Sequence, residues 1–255
     1  MQPWQVLVLV IVAVYFPLKI LTLLRYRGHR PAGARLVLYV LGWPGFDPKP
    51  FGPGERKTTG AGIGWRGAAV MAAGLLTWAA VGYSDVAEPA RSWIGIGAIL
   101  LTVHFGFADV LAGVLRARGM GVRRLFPEPV LSVSLRDFWS RRWNMAYVEM
   151  TQLLFMPVLR RKLGNWAFLA AFAISGVLHE LAISVPVNAG YGGPMAYFLL
   201  HGGVTVAEGR LGVRRWPRAI GRLWAAAWVL VPLPLLFHGP FRAAMIEPLF
   251  SWGTR

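Results

Sequence analysis

Long apolar runs alternate with short basic or Gly- and Pro-rich segments along this 255-residue chain. An α-helix rises about 1.5 Å per residue, so roughly 20 apolar residues cross the hydrocarbon layer of a bilayer. Six runs come close to that length: residues 4–24, 66–83, 93–115, 167–186, 194–209 and 223–237. Strands of a membrane barrel would instead alternate polar and apolar residues. The pattern predicts an all-α, polytopic transmembrane helical bundle with six full spans.

Two further apolar runs, residues 36–46 and 145–159, are only about half as long as a membrane is thick. Basic residues flank the second run at both ends, and such a segment most simply enters and leaves the membrane on one side. We interpret both as re-entrant or interfacial segments, although the pattern leaves open whether they span. No internal repeat or domain boundary is visible, so a single membrane domain over residues 1–255 is expected.

The net charge of +16 is concentrated in the short segments between the apolar runs. Placing the first terminus outside puts 23 of the 27 Lys and Arg residues on the inner side, with Lys19 within the first span and Arg91, Arg242 and Arg255 outside. This distribution follows the positive-inside rule, so the charge indicates membrane topology and makes nucleic-acid binding an unlikely use of it. The excess of arginine over lysine hints at a GC-rich bacterial genome and an inner-membrane location.

The chain contains no cysteine. Disulfides, thiolate nucleophiles, S-acyl-enzyme chemistry and Cys-ligated zinc are therefore excluded for this sequence.

His179 is the most informative polar residue in an apolar run. It lies about twelve residues into the run that begins at Ala167, or roughly 18 Å along a helix. Ser175 lies one turn earlier on the same face. An ionisable residue at membrane depth is costly and is often functional, and a neutral histidine can act as a general base. The alternative is a helix-packing histidine satisfied by a backbone carbonyl.

The other ionisable residues in apolar runs have no role that the sequence reveals. These are His104, Asp109, Glu180, His201 and Glu208. No two histidines lie three or four residues apart on one helix, so a metal or haem site would need wholly tertiary ligation, and we expect none. Glu180 points about 100° away from its neighbour His179 around a helix, and pairing with an arginine is one alternative for it.

Residues 134–144, SLRDFWSRRWN, interleave aromatic and charged side chains. One interpretation is an amphipathic anchor at the membrane surface. The other is that the arginines bind an anionic head group while Asn144 directs its amide at a reacting centre. The composition alone does not separate the two.

Three blocks together resemble the wax synthase branch of the membrane-bound O-acyltransferase family: LSVSLRDFWSRRWN (131–144), FLAAFAISGVLHELAIS (168–184) and FLLHGGVTVAE (198–208). LYVLGWPGFDP (38–48) is also similar to that branch. The resemblance implies a multi-span fold with an internal tunnel, a catalytic histidine at His179 and a polar partner at Asn144. It also implies an acyl donor, usually acyl-CoA, and a hydroxyl acceptor. Ser140 stands where plant wax synthases usually have glycine.

We therefore expect an O-acyltransferase that transfers an acyl group from acyl-CoA to a long-chain alcohol or another lipid or secondary-metabolite alcohol. No cofactor is expected beyond acyl-CoA as a co-substrate. The candidate residues for binding the donor or the acceptor are Trp139, Arg141, Arg142, Trp143, Arg160, Arg161, Ser175 and His201. A transporter or lipid-binding protein with a histidine-lined path is the alternative. The acyl chain length, the acceptor and the oligomeric state are left open.

Overall fold

The computed structural model describes residues 1–53 and 59–253, with the side chains of 251–253 left out. Residues 54–58 and the C-terminal pair, including Arg255, lie outside the described chain. The described residues form helices and turns, without a strand, so the all-α prediction is confirmed. The principal helices are α1 (Pro3–Arg25), α2 (Gly33–Leu41), α3 (Ala61–Gly82), α4 (Ala90–Ala117), α5 (135–142), α6 (145–163), α7 (167–187), α8 (Gly193–Leu211) and α9 (Arg218–Leu230).

Within the described residues, four helical stretches are long and apolar enough to cross a membrane: Pro3–Arg25, Ala90–Ala117, Met145–Val187 and Arg218–Leu236. They contain four of the six predicted spans, and the chain is an integral membrane protein on this ground. The predicted spans 66–83 and 194–209 are helical, in α3 and α8, but do not belong to these four. The count of six spans therefore stays a prediction.

The two half-length segments differ from each other in the structure. In segment 36–46, α2 ends at Leu41 after 9 residues, which gives a helix only about 13 Å long. In segment 145–159, α6 continues to Leu163 through the basic residues and is about 28 Å long. Gly164 then follows with φ 53°, a backbone conformation that favours glycine, and it separates α6 from α7.

The described chain divides into two compact units. The first comprises Met1–Arg25 and Pro127–Phe241. Within it, α7 and α8 pack along each other, and a Cβ on Gly202 would lie 3.1 Å from the Cβ of Phe172. Glycine therefore permits the close approach of these two helices. Helix α1 also belongs to this unit and contacts α6 and α7.

The second unit comprises Tyr26–Phe126 and the residues from Arg242 onward. Helices α3 and α4 form its centre. Asp109 on α4 is buried and accepts hydrogen bonds from Arg66 at 3.2 Å and from Arg124 at 2.7 Å. His104 also lies in this unit, with its ring 5.3 Å from that of Phe126. The prediction of a single functional domain stays a prediction.

Candidate functional site

His179 occupies the last α-helical position of α7, where the helix widens into a π-helical turn over Glu180–Ser184. Its Nδ1 atom lies 2.7 Å from the carbonyl oxygen of Ser175. A carbonyl oxygen can only accept, so Nδ1 must carry the proton and donate it in this hydrogen bond. In the neutral imidazole the Nε2 atom then keeps its lone pair, which is the form of histidine that a general base requires.

Phe198 of α8 connects His179 with a cavity. Its ring lies 4.3 Å from the imidazole ring of His179, measured between centroids, and it also forms part of the cavity wall. The cavity has a volume of about 260 Å³ and a mainly apolar lining. The remaining lining residues are Arg136, Trp139, Ser140, Tyr147, Val148, Thr151, Gln152, Met156, Arg160, Phe168, Ala171, Phe172 and Ser175. The cavity thus ends one helical turn from His179, and the predicted continuous tunnel stays a prediction.

Two arginines, Arg136 and Arg160, line the cavity and are exposed. The Arg136 guanidinium lies 5.3 Å from the centre of the Phe168 ring. In the part of the chain that the structure describes, neither guanidinium forms an ion pair with a carboxylate. The cavity therefore combines an apolar interior with two positive charges that are free to bind an anion.

Asn144 is the N-cap residue of α6 and has a left-handed backbone, with φ 46° and ψ 61°. Asparagine tolerates this conformation better than most residues. Its Oδ1 atom accepts the backbone N–H of Tyr147 at 3.1 Å. Its Nδ2 amide group has no partner within residues 1–53 and 59–253, and Asn144 is not among the residues that line the cavity.

Tyr147 links the start of α6 to α7. Its hydroxyl donates to the carbonyl oxygen of Ala171 at 2.7 Å, one turn before Ser175 on α7. The Asn144 cap thus holds Tyr147, Tyr147 holds α7, and the next turn of α7 supplies the carbonyl that orients His179. The two residues predicted to be catalytic are connected through this chain of contacts.

Three of the predicted binding residues, Trp139, Arg160 and Ser175, lie on the cavity wall. His201 lies behind this wall, where it is fully buried, with its ring 5.4 Å from that of Trp139. Its Nε2 atom donates to the carbonyl oxygen of Trp228 at 2.7 Å. These contacts give His201 a packing role next to the cavity.

The other four predicted binding residues do not line the cavity. Trp143 stacks on Phe138 at 5.2 Å, and Arg142 donates from Nε to Asp137 at 2.8 Å. Arg141 and Arg161 are exposed. Helical spacing places Arg136 with Trp139 and Ser140, but it would also place Arg142 and Trp143 with Trp139. The contacts of Arg142 with Asp137 and of Trp143 with Phe138 account for their absence from the cavity wall.

Sequence reasoning missed Arg136 and Tyr147 as site residues. The helical periodicity of the SLRDFWSRRWN block could have found Arg136 beside Trp139. Tyr147 stands three residues after Asn144, the distance at which an N-cap side chain meets a backbone N–H, but its contact with Ala171 is tertiary and leaves no trace in the sequence.

Glu180 has a structural explanation that involves no arginine. Its Oε1 atom accepts the backbone N–H groups of Gly192 at 2.8 Å and Met195 at 3.1 Å, at the start of α8. A carboxylate at a helix N-terminus satisfies unpaired amides and complements the helix dipole. Glu180 thus ties α8 to the turn that follows His179.

We expect Glu180→Ala to lower the stability of the protein by about 1–2 kcal/mol, because two N–H groups at the start of α8 lose their acceptor. Glu180→Gln keeps one acceptor oxygen and should cost about half as much. Thermal unfolding of the purified protein in detergent measures both. An unfolding midpoint for Glu180→Ala equal to that of the unchanged protein would contradict the capping role.

Among residues 1–53 and 59–253, no group of three or more His, Asp or Glu side chains is arranged to hold a metal ion.

Comparison with known proteins agrees with the arrangement of this site. Residues 122–200 match the model of the membrane bound O-acyl transferase family. This segment contains Asn144, His179 and every residue that lines the cavity. The resemblance to this family is confirmed.

Three relatives of the chain are named as O-acyltransferases of long-chain alcohols or of sterols. A probable long-chain-alcohol O-fatty-acyltransferase 3 of Arabidopsis thaliana is 33% identical over 60% of this chain and 50% of its own length. The long-chain-alcohol O-fatty-acyltransferase of Simmondsia chinensis is 34% identical over 35% of this chain and 28% of its own. An acyl-CoA–sterol O-acyltransferase 1 of Arabidopsis thaliana is 30% identical over 58% and 48%. The matched part of the chain thus spans half or less of the length of these relatives.

Proposed function

We propose that this chain is a membrane-embedded O-acyltransferase that moves an acyl group from acyl-CoA to a hydroxyl acceptor. The observation that carries the proposal is the tautomer of His179, whose Nδ1–H is held by the Ser175 carbonyl so that Nε2 is the free base beside the cavity. The wax-synthase-like relatives, which are named for long-chain alcohols and a sterol, support this class of reaction.

The reaction needs one proton transfer in each direction. The Nε2 atom of His179 takes the proton of the acceptor hydroxyl, and the hydroxyl oxygen bonds to the thioester carbon. The Asn144 amide group donates to the oxygen that becomes negatively charged. The carbon–sulfur bond then breaks and the imidazolium returns its proton to the leaving sulfur. The products are an ester and free CoA, and no acyl-enzyme is required in a chain without cysteine.

The lining of the cavity suits both parts of the acyl donor, the apolar acyl chain and the anionic CoA. Aromatic side chains, Phe168, Phe172 and Phe198, surround the interior, which an acyl chain would fill. The guanidinium groups of Arg136 and Arg160 are positioned for the phosphates of CoA. The acceptor is a long-chain alcohol or another lipid or secondary-metabolite alcohol, and acyl-CoA is consumed as a co-substrate without a further cofactor.

A thiol-release assay tests this proposal against the alternative of a transporter or lipid-binding protein. The purified protein is supplied with acyl-CoA of several chain lengths and with 1-alkanols and a sterol. We expect release of free CoA that depends on the alcohol. If no combination releases CoA while vesicles show a flux that depends on His179, the chain is a transporter instead.

We expect Arg136→Ala and Arg160→Ala each to raise the KM for acyl-CoA about fivefold, because a charge-assisted contact with phosphate is lost. The rise in KM caused by either substitution should be smaller at high salt, because salt screens the attraction between arginine and phosphate. Arg161→Ala is the matched control, since Arg161 is the exposed neighbour outside the cavity lining. With an acyl thioester of N-acetylcysteamine, which has no phosphates, the KM of all three variants for this donor should equal that of the unchanged protein. Equal effects on both donors would contradict phosphate binding.

A further inference from the structure

Glu208 is a buried carboxylate on α8 that the proposed chemistry does not use. It is only 4% exposed. Its Oε1 atom accepts the backbone N–H of Leu135 at 2.6 Å and the indole N–H of Trp224 at 2.9 Å. Its Oε2 atom accepts the backbone N–H of Arg136 at 3.0 Å. Three donors thus converge on one carboxylate, and such charge-assisted hydrogen bonds are strong in a buried setting.

These contacts cap the N-terminus of α5. The first two amides of α5 donate to Glu208, and the third, of Asp137, donates to the side chain of Ser134 at 3.0 Å. The first amides of a helix have no partner inside it, and a negative charge there also complements the helix dipole. Glu208, more than 70 residues away in the chain, therefore sets where α5 begins relative to α8.

Helix α5 carries one wall of the cavity, because Arg136, Trp139 and Ser140 all line it. Helix α8 carries Phe198, which also lines the cavity and lies ten residues, or about 15 Å, before Glu208. The rings of Trp139 and Phe198 are 5.5 Å apart. At this distance the two rings are packed against each other, so a shift of α5 along α8 would break this contact and change the shape of the cavity wall.

We propose that Glu208 is a positioning residue that sets the shape of the substrate cavity by anchoring α5, which carries part of its wall, to α8. Glu208 is not among the residues that line the cavity. The inference rests on the proposed acyl transfer, since its readout is the binding of the acyl donor. It goes beyond that function by assigning an effect on donor affinity to a residue that lies outside the cavity lining and holds the backbone of a lining residue, Arg136.

The test is the kinetics of Glu208→Gln, measured by thiol release. A glutamine offers one acceptor oxygen to three donors, and its own NH₂ group would face an N–H, so α5 is released. We expect the KM for acyl-CoA to rise about tenfold while kcat stays within about threefold. Trp224→Phe removes one donor and should raise KM about threefold. This milder variant decides the question if Glu208→Gln does not fold.

Glu88→Gln is the matched control, because Glu88 is also a carboxylate at the start of a helix, where its Oε2 atom accepts the backbone N–H of Ser92 on α4 at 3.2 Å, and neither residue lines the cavity. Its KM should stay within about twofold of the unchanged protein despite a lower unfolding midpoint. Combining Glu208→Gln with Trp139→Ala should raise KM less than the product of the two single effects, since both act on one wall.

Two results would overturn the role of Glu208. If KM is unchanged in both Glu208→Gln and Trp224→Phe, Glu208 only stabilises the fold. If kcat falls while KM stays constant, Glu208 takes part in the chemical step. Both outcomes require thiol release by the unchanged protein. Its complete absence would instead overturn the proposed acyl transfer, so the two failures are distinguishable.

Discussion

His179→Asn is expected to lower turnover by about 10²- to 10⁴-fold in a protein that remains folded. The asparagine amide N–H replaces the Nδ1–H of the imidazole and can still donate to the Ser175 carbonyl, which His179 contacts at 2.7 Å. No lone-pair nitrogen remains at the position of Nε2, so the acceptor hydroxyl keeps its proton. Thiol release and thermal unfolding in the same detergent measure the two parts of this prediction.

The matched control for this variant is His29→Asn, the same substitution at an exposed position. It should leave turnover within about twofold. A folded His179→Asn protein whose turnover lies within tenfold of the original would show that His179 is a packing residue and that the base lies elsewhere.

Asn144→Asp is expected to lower kcat by about 10²- to 10³-fold, because the free Nδ2 amide group is lost as a donor to the developing oxyanion. The rest of the structure should survive the change. Aspartate is as good an N-cap as asparagine, so an oxygen still accepts the Tyr147 N–H. Aspartate also tolerates the left-handed backbone at φ 46°.

Asn188→Asp provides a matched control for this second substitution. Asn188 is also left-handed, with φ 49°, and its side chain contacts Tyr191 outside the cavity. Turnover should stay near that of the unchanged protein. If Asn144→Asp is as active as Asn188→Asp, Asn144 acts only as a helix cap.

The membrane helices could be predicted from the sequence because each one depends on a continuous run of apolar residues in the chain. Apolar runs of membrane length predict α1 and α4 without knowledge of the fold. The boundaries were less secure, as shown by α6, which continues to Leu163 through basic residues. Charged side chains end the apolar pattern there but do not end the helix, since arginine and lysine are good helix formers.

The candidate site could be predicted only in part from the sequence. His179 was visible as a polar residue in an apolar run, whereas its partner is a backbone carbonyl, which no sequence pattern marks. The carboxylates of Glu180 and Glu208 were equally visible, but their partners are amides 12 and 73 residues away. Hydrogen bonds to distant backbone groups depend on how the helices pack, and this determines which polar residues cap helices and which face the cavity.

The most direct test of the central claim is to quantify both products of one reaction, free CoA by thiol titration and the ester by mass spectrometry. We expect the unchanged protein to form the two in equal amounts and His179→Asn to form neither above background. CoA released without ester, or equal ester yields from the two proteins, would contradict acyl transfer by His179 in this cavity.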